Sequence, residues 1–442
     1  MIAGSPRVLV PLDPPLRTAA WYGDRPLALG LPPTWAVTVH WPRTPDELTD
    51  DDIRAAVGEP VGQGRISTLA AAGTRVAIVV DDLTRPTPVD RIIPHIGAEL
   101  ALAGVADPDV TIVIGTGTHG PSRADGGSKV GADAASRYAV AFHDDRHDCV
   151  RLGTTSFGSP VFVNRTVAAA DLVIAIGGVY PQHSVGFGGG AKTILGVLGR
   201  TSIERLHYRH PSVDGRTETT NDFRRDVAEM ATLVGLRVGV GALVDARRHI
   251  VWLRSGDPAG WFESARDAAL EMFSAPPPGD AGVVISNAYP MDISATFVRS
   301  KGIIPLTRAA PMASRVLIGA ASEGLGHHGL FPLDVGRQGA VMQIVRVARN
   351  APRAALPRLV GDRLARVAKG IVRGNGPAVH AVPRRQILFH PTSAADPPPH
   401  IPGMRTVLDW EAVIAAVEAE QPAGNRIRAV VYPCSPLQVL DA

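Results

Sequence analysis

Residues 172–181 read LVIAIGGVYP, a continuous apolar, β-branched run that stops at two glycines. An apolar run of strand length without polar alternation is what a strand covered on both faces requires. Upstream, VAIVVDD (76–82) and VTIVIGTGTHG (110–120) follow the same grammar, and downstream LRVGVGALVD (236–245), AGVVISNAYP (281–290), SRVLIGAASEG (314–324) and RAVVYPC (428–434) repeat it. The intervening segments are long enough for crossover helices, and residues 91–104, 261–273 and 335–349 carry apolar positions at helical spacing. Buried strands alternating with helices predict an α/β protein with parallel-rich sheets.

A chain of 442 residues exceeds what one core usually organises, so two α/β domains are expected. SAPPPGDAG (274–282) interrupts both helix and strand and sets the boundary. The expected N-terminal domain, 1–274, carries the catalytic and cofactor loops, and 275–425 forms the second. The last segment, 426–442, is expected to return and pack on the first. Residues 351–404, rich in proline and arginine, read as solvated surface.

A formal charge of +3 is small for this length and implies no polyanionic partner, so nucleic acid is not expected. Cys149 and Cys434 are too few for a disulfide framework and fit a reducing cytoplasm. No apolar run approaches membrane-spanning length and no signal segment opens the chain, so a cytoplasmic protein without membrane association is expected.

Chemistry-bearing residues gather where these strands end, which is where open α/β sheets bind ligands. DDLTRPTP (81–88) offers Asp82 to orient a polar group and Arg85 to fork onto a carboxylate or phosphate, its prolines limiting motion. A rigid turn with a local ion pair is the plainer reading. GTGTHG (115–120) has the form of a dinucleotide fingerprint, but the following PSRADGGSKVGAD lacks an amphipathic stripe. His119 in that turn is placed to give or take a proton near neutral pH.

HSVGFGGGAKT (183–193) comes one glycine short of a phosphate-binding P-loop, and eight residues separate the turn from its strand. Backbone N–H groups at Gly188, Gly189 and Gly190 still suit a phosphate. Only four of the 45 basic residues are lysine (Lys129, Lys192, Lys301 and Lys369). A lysine kept at 192 therefore points to a titratable amine able to act as nucleophile. His183, His207 and His210 flank it. His143 and His147 have metal-ligand spacing if helical, though no third ligand is evident. His327 and His328 follow a predicted strand, without an assigned role.

Taken together, DDLTRPTP, GTHGP, LGTTSFGSPVFVNRTVAAADLVIAIG (152–177), H…GFGGGAK and SEGLGHH resemble the nickel-dependent lactate racemase family over most of the chain. The resemblance implies two α/β domains with the active site between them and a nickel-pincer pyridinium mononucleotide tethered to a lysine. Lys192 would be that tether, His207 the nickel ligand, and His119 and His183 the acid–base pair on opposite faces of a 2-hydroxy acid. Asp82, Arg85 and the turn glycines would hold cofactor, and Arg85 with Lys301 would hold substrate. Cofactor-maturation enzymes are implied partners.

Three departures accompany the likeness. The His183-to-Lys192 interval is one residue shorter, no proline follows Lys192, and Val298 stands where the family favours glutamine. They leave open a 2-hydroxy acid larger or more apolar than lactate, or a chain that does not load the cofactor. Two other classes also stay open: a nucleotide-using enzyme, by phosphoryl transfer or NAD, and a non-catalytic binder of a carboxylate or mononucleotide.

Overall fold

A computed structural model of the chain describes residues 8–43, 45–120, 122, 126–182, 184–211, 217–330, 333, 385–391, 400–421 and 426–440. The chain divides into two compact units over these residues. One comprises Met1–Arg43, Met272–Gly326 and Ala381–Ala442, the other Thr44–Glu271 and His327–His380.

In the larger unit six strands lie in the order Ile250–Gly256, Leu236–Val244, Leu172–Gly178, Val76–Asp81, Val110–Gly115, Ala139–Phe142. All pair in parallel except the first, which runs antiparallel to Leu236–Val244. The unbroken apolar runs are explained by two separate cores. Ile78, Val80, Ile112, Ile174 and Ile176 face one with Ile53, Ile96 and Leu100. Ala77, Val79, Val113, Val173 and Ala175 face the other with Ile194, Leu206, Val227 and Met230. Side chains alternate across a strand, so burial on both faces demands apolar residues at every position.

From Val76–Asp81 the chain steps to Val110–Gly115 and Ala139–Phe142 on one side, then returns to Leu172–Gly178 on the other. This reversal opens a crevice at the carboxyl ends of Val76–Asp81 and Leu172–Gly178. The pairing puts Asp81 level with Gly115 and Val80 level with Ile176, so the loops that follow leave one edge together.

The smaller unit has its own six-stranded, all-parallel sheet, ordered Arg405–Val407, Gln386–Phe389, Ser314–Ile318, Val283–Asn287, Arg428–Tyr432, Ala36–Val39. Its core joins Leu16, Leu31 and Trp35 to Val283, Ile285, Val316 and Ile414. Two assignments made from sequence order change here. The first 43 residues belong to this unit, not to a 1–274 domain, and the strand Arg428–Tyr432 pairs with Val283–Asn287, not with the first sheet. Ala36–Val39 has two exposed positions, so no buried run marked it as a strand. The unit boundary at residue 272 falls beside the proline-rich segment, and Ser274–Ala275 pairs with Val439–Leu440.

Helices form at Ile93–Leu102, within the first helical pattern, and at Pro258–Phe273, which spans the second and begins three residues before it. The third pattern, 335–349, and most of 351–404 lie outside the described residues. Among the described residues no helix is long and apolar enough to cross a membrane.

Candidate active site

Asp81 and Asp82 end their strand side by side and do different work. Asp81 faces inward. Lys129, whose side chain is 0% exposed, pairs with its Oδ1 at 2.7 Å. Thr87 Oγ1 (2.5 Å) and the Gly178 amide (3.0 Å) donate to its Oδ2, and Tyr180 lies 2.7 Å from Thr87. Lys129 also donates to the carbonyls of Arg85 and Thr87, so one buried ammonium fixes the turn 82–88. A buried ammonium needs this many partners to offset its lost hydration.

Asp82 turns toward the adjacent loop, where its Oδ2 meets His119 Nδ1 at 2.8 Å. Its other oxygen accepts the Thr84 amide at 3.1 Å and the Thr84 hydroxyl, and Arg85 Nη1 donates to that hydroxyl at 2.8 Å. Burial pushes the Asp82 carboxyl upward, but the His119 imidazole and the Arg85 guanidinium outweigh it and hold the group below its ordinary value. A carboxylate at Nδ1 keeps the proton there and leaves Nε2 as the basic nitrogen.

The glycines of the second loop have a packing explanation. A Cβ on Gly115 would lie 2.9 Å from Gly196 Cα, and the Gly117 amide donates to the Gly196 carbonyl at 2.8 Å. These glycines let two backbones meet and do not build a dinucleotide cradle. Residues 327–330 cover the same loop. His327 packs against Gly120, the Gly329 amide donates to Thr118 O at 2.7 Å, and the His328 ring sits edge-on to His119 with centroids 5.1 Å apart.

The lysine turn is reached through a short antiparallel hairpin, Pro181–Gln182 with Gly186–Phe187, which accounts for the spacer after the strand Leu172–Gly178. His183 lies outside the described residues. Gly189 and Gly190 take φ of +81° and +61°, and Gly190–Val197 winds as a 3₁₀ helix. A Cβ on Gly190 would come within 2.9 Å of the Phe262 ring. Burial, with the positive charges of Arg85 and Arg224, lowers the Lys192 amine to about 7. Arg224 carried no signal in the sequence. It reaches the turn from the helix Asp222–Val234, donating from Nη1 to the Phe187 carbonyl at 2.8 Å.

The remaining candidates separate. His207, on the helix Arg200–Arg209, donates from Nδ1 to its own Ile203 carbonyl at 2.8 Å. That bond fixes the tautomer with its lone pair on Nε2. His210 instead faces buried Asp226 at 2.9 Å, which also accepts from Thr155 and Ser159. His143 and His147 follow a strand and share no helix: His143 meets the Leu198 carbonyl and His147 meets Asp144. Lys301 and Val298 belong to the other unit, on the helix Ala295–Gly302, where Val298 is buried against Gly319. Among the described residues no group of three or more His, Cys, Asp or Glu is arranged to hold a metal.

Fold and site together define an α/β protein whose sheet edge carries an imidazole–carboxylate pair and a lysine with a neutral-range amine. A family model described as the lactate racemase N-terminal domain matches residues 22–219. The lactate racemase of Thermoanaerobacterium thermosaccharolyticum is 26% identical over 296 residues, covering 64% of this chain and 68% of that protein. That of Lactiplantibacillus plantarum is 24% identical over 251 residues, covering 55% of this chain and 59%, under two thirds, of its own. The structure of the T. thermosaccharolyticum lactate racemase apoprotein superposes with a TM-score of 0.67 at 20% identity, covering 97% of this chain and 100% of that one. A structural-genomics protein from Thermotoga maritima shares the fold at a TM-score of 0.56 and 12% identity, covering 90% of this chain and 100% of its own. Over these stretches the chain is similar to lactate racemases, and it shares their fold.

Proposed function

We propose that this chain is a racemase or epimerase of a 2-hydroxy acid, working with a nickel-pincer pyridinium mononucleotide joined to Lys192. The observation that carries the reading is the 2.8 Å pair of His119 and Asp82 at the switch-point edge that also bears the lysine turn. Delivery of the cofactor by maturation enzymes and a place in the cytoplasm belong to the same reading.

Several features of the residues support the cofactor. Lys192, Arg85 and Arg224 bring positive charge to a glycine turn, which suits an anionic mononucleotide. The lowered amine suits formation of a covalent bond. His207, its Nδ1 committed to Ile203, presents the nitrogen that a metal takes, and nickel would draw its further donors from the cofactor. When bound, the cofactor supplies an acceptor and donor of hydride for the substrate carbon.

The protein's part is to orient the substrate and move protons. His119 Nε2 takes the hydroxyl proton of the 2-hydroxy acid, and Asp82, fixed at Nδ1, stabilises the imidazolium that forms. Arg85, anchored through Thr84, orients the substrate carboxylate by a two-pronged bond. By resemblance His183 is the proton donor and acceptor for the hydroxyl on the opposite face, where return of hydride to C2 would invert the centre, and Lys301 is a second carboxylate contact. Val298 stands, by resemblance, where the family favours glutamine, a departure consistent with a 2-hydroxy acid larger or more apolar than lactate.

The test is racemisation of single enantiomers of lactate, 2-hydroxybutyrate and mandelate by cofactor-loaded protein in deuterium oxide. Inversion with the C2 hydrogen retained is expected. Deuterium entering C2 at the rate of inversion contradicts hydride chemistry, and no inversion of any 2-hydroxy acid contradicts the substrate class.

A further inference from the structure

Residues 327–330 bring a second imidazole against the first. They belong to the larger unit, where three contacts lay them along the loop that carries His119. The Gly329 amide donates to the Thr118 carbonyl at 2.7 Å, and the His327 ring lies against Gly120. Between these two contacts the His328 ring meets the His119 ring, with centroids 5.1 Å apart and planes at 63°. Rings tilted at this separation touch each other directly.

His328 is itself anchored. Its Nδ1 accepts the Leu330 amide at 3.3 Å, and the Leu330 side chain is buried in the core of the larger unit. An accepting Nδ1 puts the hydrogen of the neutral ring on Nε2. The segment also lies close on Arg200, whose guanidinium occupies the place that a side chain at Gly329 would need. Arg200 has little freedom to yield, because its Nη2 pairs with Asp145 at 2.6 Å and its amide donates to the Asp145 carbonyl. The glycine therefore seats residues 327–330 on a fixed ion pair.

A hydrogen bond at Nδ1 fixes that atom more tightly than it fixes the plane of the ring. The 2.8 Å bond from His119 to Asp82 leaves the imidazole latitude to tilt about it, and a tilt carries Nε2 away from a bound hydroxyl. A second ring seated against the first removes that latitude. We propose that His328 is a positioning residue for the base, its ring fixing the tilt that the Asp82 bond leaves open. The proposal rests on the proton transfer assigned to His119 above, but the tilt is a property of the bare chain.

The test is imidazole NMR on full-length protein without cofactor, labelled with nitrogen-15 histidine, the His119 signal being assigned by its absence in His119→Gln. Wild type should show one His119 tautomer, with an Nδ1 proton that exchanges slowly with water. Two variants separate the ring from its anchor: His328→Phe keeps a ring and loses the acceptor for the Leu330 amide, whereas His328→Asn keeps an acceptor and loses the ring. His328→Phe should retain the slow proton, and His328→Asn should speed its exchange by about tenfold or more. In cofactor-loaded protein His328→Asn should lower kcat by about 10- to 100-fold at unchanged KM, and His328→Phe should keep most of the rate.

A slow proton retained in His328→Asn, or lost in His328→Phe, overturns the proposal, because the ring contact is then not what steadies His119. Fast exchange already in wild type overturns it as well. If His328→Asn does not fold, His328→Gln, which also lacks a ring, is read in the same way. A loaded chain that inverts no 2-hydroxy acid, while both variants behave as expected in the bare chain, would sink the racemase reading alone. A loaded chain that racemises, with the His119 proton unchanged in His328→Asn, would sink this inference alone.

Discussion

His119 Nδ1 and Asp82 Oδ2 stand 2.8 Å apart, joining the loops that follow two neighbouring parallel strands. This pair gives the imidazole one orientation and one tautomer, and the proposed chemistry needs both. His119→Ala should lower turnover by about 10²–10⁴-fold. Asp82→Asn should approach the same loss while leaving the circular dichroism spectrum intact, because an amide fills the same space but no longer enforces the tautomer. Polarimetry on both variants checks this.

The pair also links stability to acid. Burial raises the Asp82 carboxyl and its partners more than compensate, leaving it below its ordinary value of 3.8. A carboxyl lowered on folding contributes stability that is fully present above its unfolded value and is lost as pH falls through the folded one. Wild-type protein should therefore lose stability below about pH 4 more steeply than Asp82→Asn. Urea midpoints measured from pH 6 down to pH 2 read the difference, and parallel curves would contradict it.

Lys129→Met leaves the Asp81 carboxylate in the interior without its ion-pair partner. A loss of about 3–5 kcal/mol in unfolding free energy is expected. The double variant Lys129→Met with Asp81→Leu should recover part of that loss, because it removes the stranded charge. Chemical denaturation of both variants decides the point.

Gly190→Ala places a Cβ at a φ of +61° and 2.9 Å from Phe262. The strained backbone and the displaced ring together should cost about 1–3 kcal/mol. Gly188→Ala, where the nearest atom stands 3.7 Å away, should cost less. Thermal melts of the two variants give the comparison.

The central strands could be read from the sequence because each is buried on both faces, which leaves an unbroken apolar run. Ala139–Phe142 and Ala36–Val39 escaped that reading, since edge strands keep exposed positions and lose the pattern. His119 and Lys192 stood out because each interrupts a glycine-rich turn directly or closely after a strand. Arg224 and Lys129 did not, since each arrives from a helix remote in sequence and nothing local marks its direction. The apparent dinucleotide fingerprint shows the converse: the same glycines serve a backbone approach to Gly196, and only packing separates the two uses.

Lys192 is the residue to which the proposed function joins the cofactor. Intact mass and nickel content, measured on protein produced in its native host, test it directly. The proposal predicts an added mass of mononucleotide size mapping to the Lys192 peptide, with about one nickel per chain. Lys192→Ala should lose the adduct, and His207→Ala should lose nickel while keeping it. An unmodified chain without nickel, under conditions that load a lactate racemase, would contradict the proposed function.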